Sequence, residues 1–185
     1  MKTLLFLLAS SLALADTTVV FRTDLGEIEM AIDELHAPIS AKNFLRYVRE
    51  GAYENGLFHR TVTLQNQPNN KVKIEVIQGS VRPGTREYPP IPLERTNKTG
   101  LKHKNGTVSM ARDAADTATV DFFICIGDQP ELDFGGKRNP DGQGFAAFGR
   151  VTKGMMVVKA IQSAAAQGQS LNPPIRILNA RVVSK

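Results

Sequence analysis

With 185 residues, 42% of them hydrophobic and 22% charged, the chain has too ordinary a composition for a disordered or fibrous protein and too little length for two sizeable domains. The formal charge of +5 is scattered, with its densest run at Lys98 to Lys104, and no basic arm or aromatic-interleaved motif accompanies it, which argues against a nucleic-acid partner. One cysteine, Cys125, rules out an internal disulfide; set within Phe122-Phe123-Ile124-Cys125-Ile126, it reads as a small buried hydrophobe rather than a nucleophile.

Residues 1–15 have the order of a secretory signal: Lys2 supplies a positive charge, Leu4 to Leu14 an apolar run, and Ala13-Leu14-Ala15 a small-x-small cleavage pattern. The run is shorter than the ~20 residues a membrane-spanning helix needs. The expectation is therefore cleavage after Ala15, a single domain over 16–185 and export, in a bacterial setting to the periplasm, with no membrane attachment once the signal is removed.

Thr17 to Thr23 and Glu27 to Ile32 flank Asp24-Leu25-Gly26, and Ile28, Met30 and Ile32 alternate with acids, which predicts a hairpin with one buried face. Pro38 suits the first turn of a helix running to Glu50, with Phe44, Leu45 and Val48 as its apolar stripe and Gly51 as its stop. Leu57 to Val62 reads as strand, and alternation at Val72, Ile74 and Val76 predicts a second hairpin with a long polar tip at Gln65 to Asn70. Arg82 to Gly100 reads as surface loop, Gly106 to Ala111 and Asp121 to Ile126 as short strands, and Gly135 to Gly144 as loop. Ala147 to Val151 is predicted strand, Lys153 to Ala165 helix, and Ile175 to Val183 a closing strand. Many strands with two helices point to an all-β dominated barrel rather than an alternating α/β fold.

No spacing among His36, His59, His103, Cys125 and the carboxylates makes a metal site, so none is expected, and His36 and His103 read as isolated. Ser109 and Ser163 lack a nucleophile elbow, which argues against a hydrolase.

Phe58-His59-Arg60, Ile77-Gln78-Gly79, Ser109-Met110-Ala111, Phe122-Phe123-Ile124 and Phe148-Gly149-Arg150-Val151, in that order, resemble the motifs of the cyclophilin family of peptidyl-prolyl isomerases. The resemblance covers most of the chain after residue 15. It implies a closed antiparallel barrel of about eight strands capped by two helices, an isomerase that needs no cofactor, and substrates that are proline-containing unfolded or extended polypeptides, with a monomer as the expected state. By the same resemblance Arg60, Phe123 and Gln78 are the catalytic candidates, and Val76, Ala111, Arg112, Asp121, Leu132, Phe145 and His59 the substrate-binding ones. Phe123, Val76, Leu132 and Phe145 would form the proline pocket.

Several positions depart from the family pattern: Glu75 in place of an aromatic, Asp121 of glutamine, Phe145 of histidine and Glu131 of tryptophan. Asp121 and Phe123 are two apart on one strand, so an acid is expected beside Arg60, forming a bidentate pair with it. Strand alternation turns His59 to the face opposite Arg60 and favours a structural role for it. The acidic departures keep open a second reading, a proline-peptide-binding chaperone or scaffold on the same fold with little catalytic activity.

Overall fold

The computed structural model describes residues 16–184, so the expected signal peptide at 1–15 lies outside the described residues. Nine strands are present among the described residues: β1 (Thr17–Thr23), β2 (Gly26–Ile32), β3 (Gly56–Val62), β4 (Val76–Ser80), β5 (Thr107–Met110), β6 (Phe122–Cys125), β7 (Ala146–Lys153), β8 (Ala166–Gln167) and β9 (Ser170–Ser184). They follow the antiparallel order β1-β2-β7-β5-β6-β4-β3-β9, and β1 pairs back onto β9 to close an eight-stranded barrel, leaving β8 as a short hairpin arm on β9. Closure removes the unpaired edges that an open sheet would expose.

Two helices add apolar faces to the core. Helix α1 (Pro38–Arg49) opens with proline at its first turn, and the carboxylate of the distant Glu94 accepts from the backbone N–H groups of Ile39 and Ser40 at 3.0 and 2.7 Å, satisfying donors that a helix start leaves orphaned. Its buried Phe44 meets Phe21, Tyr53, Phe122 and Phe148, with ring centroids 5.1 to 5.9 Å apart. A one-turn helix α2 (Thr96–Thr99) interrupts the expected Arg82–Gly100 loop, and α3 (Met155–Gln162) buries Val158 and Ile161.

Two expected elements differ. Val72 to Ile74 is not strand: the Gln67 side chain donates to Ile74 O at 2.8 Å and accepts from Ile74 N at 3.3 Å, taking the place of a partner strand. The last strand begins at Ser170, five residues early. Its pairing with β3 jumps from Ile175 opposite Phe58 to Ser170 opposite Arg60, so Pro173 and Pro174, which have no N–H to give, fall in the gap.

The sheet has a second, outer apolar cluster. Ile77, Phe122 and Ile124 face the core, whereas Val62, Ile74, Val76, Phe123, Cys125 and Leu132 pack together on the other face with Ala111 and Phe145 against them. Cys125 is fully buried there, and burial, helped by Asp133 and Asp128, pushes its thiol far up, so it behaves as the inert hydrophobe its context suggested.

Candidate active site

The position of Arg60 rests on an irregularity in β3. Phe58 pairs with Gly79 and Arg60 with Gln78, so His59 is an extra residue in the strand, a β-bulge. Without it Phe58 and Arg60 would share a face. With it, Phe58 points into the core against Phe122 and Arg60 points outward, toward the outer apolar cluster.

Arg60 lines a cavity of about 270 Å³. One wall is apolar: Val76 from β4, Phe123 from β6, Leu132 from a 3-10 turn (Pro130–Leu132), and Phe145. Phe123 is 5% exposed and meets Phe145 edge to face at 5.4 Å. Gly144 makes this contact feasible. Its φ is +67°, and a Cβ there would come within 2.5 Å of the Asp133 backbone; the close approach lets Phe145 N donate to Leu132 O at 2.9 Å. Gln78, Ala111, Arg112 and Asp121 also line the cavity, together with Ile74, Asp113, Thr117, Thr119 and Arg138, none of which the sequence marked as a site residue.

The expected Asp121–Arg60 pair is absent, and its replacement alters the electrostatics. Arg60 donates from Nε and Nη2 to one oxygen of Gln169, at 2.9 and 2.6 Å, and from Nη1 to Gln78 Oε1 at 3.0 Å. Asp121 instead accepts from Gln78 Nε2 at 2.8 Å, one step removed. Two neutral amides therefore orient the guanidinium without cancelling its charge, and burial lowers its pKa from the usual arginine value. Three of its five N–H groups are engaged, which leaves two for a ligand. Gln169 follows Gly168 in the β8–β9 turn; nothing in the sequence marks a residue 109 positions away as this partner.

His59 does not lie on the face away from Arg60's surroundings. The bulge brings its Nε2 to 3.9 Å from Asp121 Oδ2, although it does not line the cavity. Arg112 lines the cavity, but four of its N–H groups go to Gly144 O and a two-pronged pair with Asp141 at 2.7 and 3.0 Å, with its guanidinium 5.1 Å from the Phe145 ring centroid. Its effect is to brace Phe145. Glu75 accepts from Gln162 on α3 and does not line the cavity, while Ile74 and Val76 do; Glu131 accepts from the backbone of Lys137.

His103 is far from isolated. Its ring stacks on Phe123 at 5.9 Å, with Nδ1 2.8 Å from Asp133 and Nε2 2.9 Å from Ser109 Oγ. This is the composition of a hydrolytic triad, but Ser109 is fully buried and off the cavity wall, so the arrangement holds the pocket floor instead. Burial alone would raise the Asp133 carboxyl; hydrogen bonds from the His103 ring and backbone outweigh it and hold the pKa below the usual value. A folded pKa below the unfolded one stabilises fully above the unfolded carboxylate range and fades as pH falls through the depressed value. Replacing His103 by Phe, which keeps the stacking, is expected to cost about 2 kcal/mol at neutral pH, the worth of hydrogen bonds to a charged group. Urea unfolding checks this, and the deficit should shrink as acid protonates Asp133.

The sequence model of the family described as cyclophilin type peptidyl-prolyl cis-trans isomerase/CLD matches residues 18–182. Peptidyl-prolyl cis-trans isomerase A of Dickeya dadantii (strain 3937) is 36% identical over 194 aligned positions, covering 99% of this chain and 95% of that protein. Peptidyl-prolyl cis-trans isomerase B of Escherichia coli (strain K12) is 36% identical over 149, covering 80% and 85%. Among solved structures, a cyclophilin type isomerase of Cryptosporidium parvum, determined in the presence of the dipeptide Ala-Pro, superposes with a TM-score of 0.73 at 20% identity, covering 91% of this chain and 99% of that one. Sequence family, barrel order and the grouping of the motif residues Arg60, Gln78, Ala111 and Phe123 around one outer cavity agree: the chain belongs to the cyclophilin-type peptidyl-prolyl cis-trans isomerases.

Proposed function

We propose that this protein rotates X-Pro peptide bonds in extended or unfolded chains, with the proline ring in the recess formed by Val76, Phe123, Leu132 and Phe145 and with Arg60 donating to the twisted amide. The observation that carries this reading is a guanidinium held by neutral amides, still charged and with two N–H groups unspent, in a cavity that has one apolar wall. Amide resonance sets a barrier of ~18–20 kcal/mol, so uncatalysed exchange takes tens of seconds or longer. Twisting the bond returns the lone pair to the proline nitrogen, which becomes a better acceptor than in the planar amide. A fixed donor therefore binds the transition state more tightly than the ground state, and that difference is catalysis. No covalent bond breaks and no electron leaves, so the chemistry calls for no cofactor.

The signal-like residues 1–15 support export, and clients would then be proteins folding outside the cytoplasm, met by a monomeric enzyme. The chaperone reading drew on Glu75, Asp121 and Glu131; the first and last are engaged away from the cavity and Asp121 is bonded to Gln78, so none blocks the recess. The test is exchange NMR on a short Ala-Pro peptide, with kcat/KM on the order of 10⁴ M⁻¹s⁻¹ or more expected. Binding without acceleration would decide for the chaperone. Expression of the full chain in a bacterial host, with cell fractionation and N-terminal sequencing, tests export: a mature start at Asp16 supports it, and retention of Met1 in the cytoplasm overturns it.

A further inference from the structure

The cavity carries three guanidiniums, and they are not equivalent. Arg112 is matched by Asp141. Arg60 and Arg138 have no carboxylate within 4 Å among the described residues. Arg138 sits on the loop between Leu132 and Phe145, its backbone N bonded to Glu131 O at 3.1 Å. Its side chain reaches across to a second loop, where Nη1 donates to Gln67 Oε1 and Val72 O, both at 2.7 Å. Its Nε and Nη2 make no hydrogen bond among the described residues. Burial and the like charge of Arg60 lower its pKa, so two uncompensated cations share one half-buried site.

Two such cations repel each other, and neither is ion-paired with an acid of the cavity wall. The acids on that wall, Asp113 and Asp121, belong to the segment following Ala111, and Asp121 is bonded to Gln78. The Arg138 side is built instead from Gln67, Val72 and Ile74. The positive charge without an ion-pair partner thus lies toward that side, away from Asp113 and Asp121 and next to the apolar recess. Arginine forks match carboxylates in shape as well as charge. An extended chain advances about 3.3–3.6 Å per residue, so a neighbour one or two positions from a proline held in the recess reaches past its wall.

We propose that Arg138 makes its side of the groove a recognition site for an acidic side chain flanking the substrate proline. The proposal rests on the isomerase reading, and the acidic peptide is its ligand class. Four peptides, capped at both ends so that a side chain is the only anion, carry Glu or Gln either two positions before or two positions after an Ala-Pro bond. One Glu peptide is expected to exceed its Gln isostere by roughly fivefold in kcat/KM at low ionic strength, with the ratio shrinking as salt screens the pair. Arg138→Gln brings that ratio to about one, whereas Arg138→Lys retains part of it. The inference is overturned if neither Glu peptide outruns its isostere, or if the preference survives Arg138→Gln. Absence of isomerisation for all four peptides would instead strike the isomerase reading itself, so the two failures are separable.

Discussion

Arg60→Ala should lower kcat/KM for an Ala-Pro peptide by roughly 10²–10³-fold, the range seen when a donor aimed at developing transition-state charge is removed. Most of the loss should fall on kcat, because the hydrogen bond strengthens only as the amide twists. Arg60→Lys should recover little: an ammonium is a flexible point charge and lacks the planar fork that meets Gln169 and Gln78 together. Stability should change little, since Gln169 retains its bond to Asn66 O and Gln78 its bond to Asp121. Exchange NMR at matched enzyme concentrations measures the rates, and urea midpoints check the fold. Equal rates for wild type and Arg60→Ala would remove the guanidinium from catalysis and leave the barrel as a binding module.

What the sequence made legible divides by range. Strands announced by alternation were placed within a residue or two, as with Glu27 to Ile32 against the observed Gly26–Ile32, because period-2 patterning is local and the barrel buries one face of each strand. The α1 stripe at Phe44, Leu45 and Val48 was legible for the same reason at period 3.6. Val72 to Ile74 misled because alternation signals a buried face without naming the partner, and here the partner is the Gln67 side chain.

Site geometry was less legible wherever it depended on register. Reading β3 as a regular strand turned His59 away from Arg60's surroundings, and one inserted residue overturns that, since a single-residue slip reverses every side chain beyond it. Asp121 was expected against Arg60 from its spacing to Phe123, but Gln78 stands between the two, accepting from Arg60 and donating to Asp121. The family resemblance grouped Val76, Gln78, Ala111, Arg112, Phe123, Leu132 and Phe145 around the cavity because its motifs carry spatial information that composition lacks. They could not indicate Gln169, held to Arg60 through a turn far along the chain, or Arg138, on a loop whose glycines and Asn-Pro signal only irregular backbone.

Phe123→Ala should act on stability and on binding together, and the two can be told apart. The ring is 5% exposed, edge-on to Phe145 and stacked on His103, so truncation leaves a void between the groove and the Asp133–His103–Ser109 chain; about 3 kcal/mol of stability is the expected loss. In the enzyme that remains folded, the recess loses the surface that, on the proposed mechanism, holds the proline ring in ground and transition states alike. KM should therefore rise severalfold or more while kcat falls less, the reverse of the Arg60→Ala pattern. Phe123→Leu, which keeps most of the apolar volume, should return much of the stability and only part of the affinity, because a branched aliphatic chain offers the ring no flat face. An unchanged KM in Phe123→Ala, measured well below its urea midpoint, would place the proline somewhere other than this recess. Arg60 would then be oriented toward an amide that binds elsewhere, and the pairing of guanidinium and apolar floor would have to be abandoned as the basis of the mechanism.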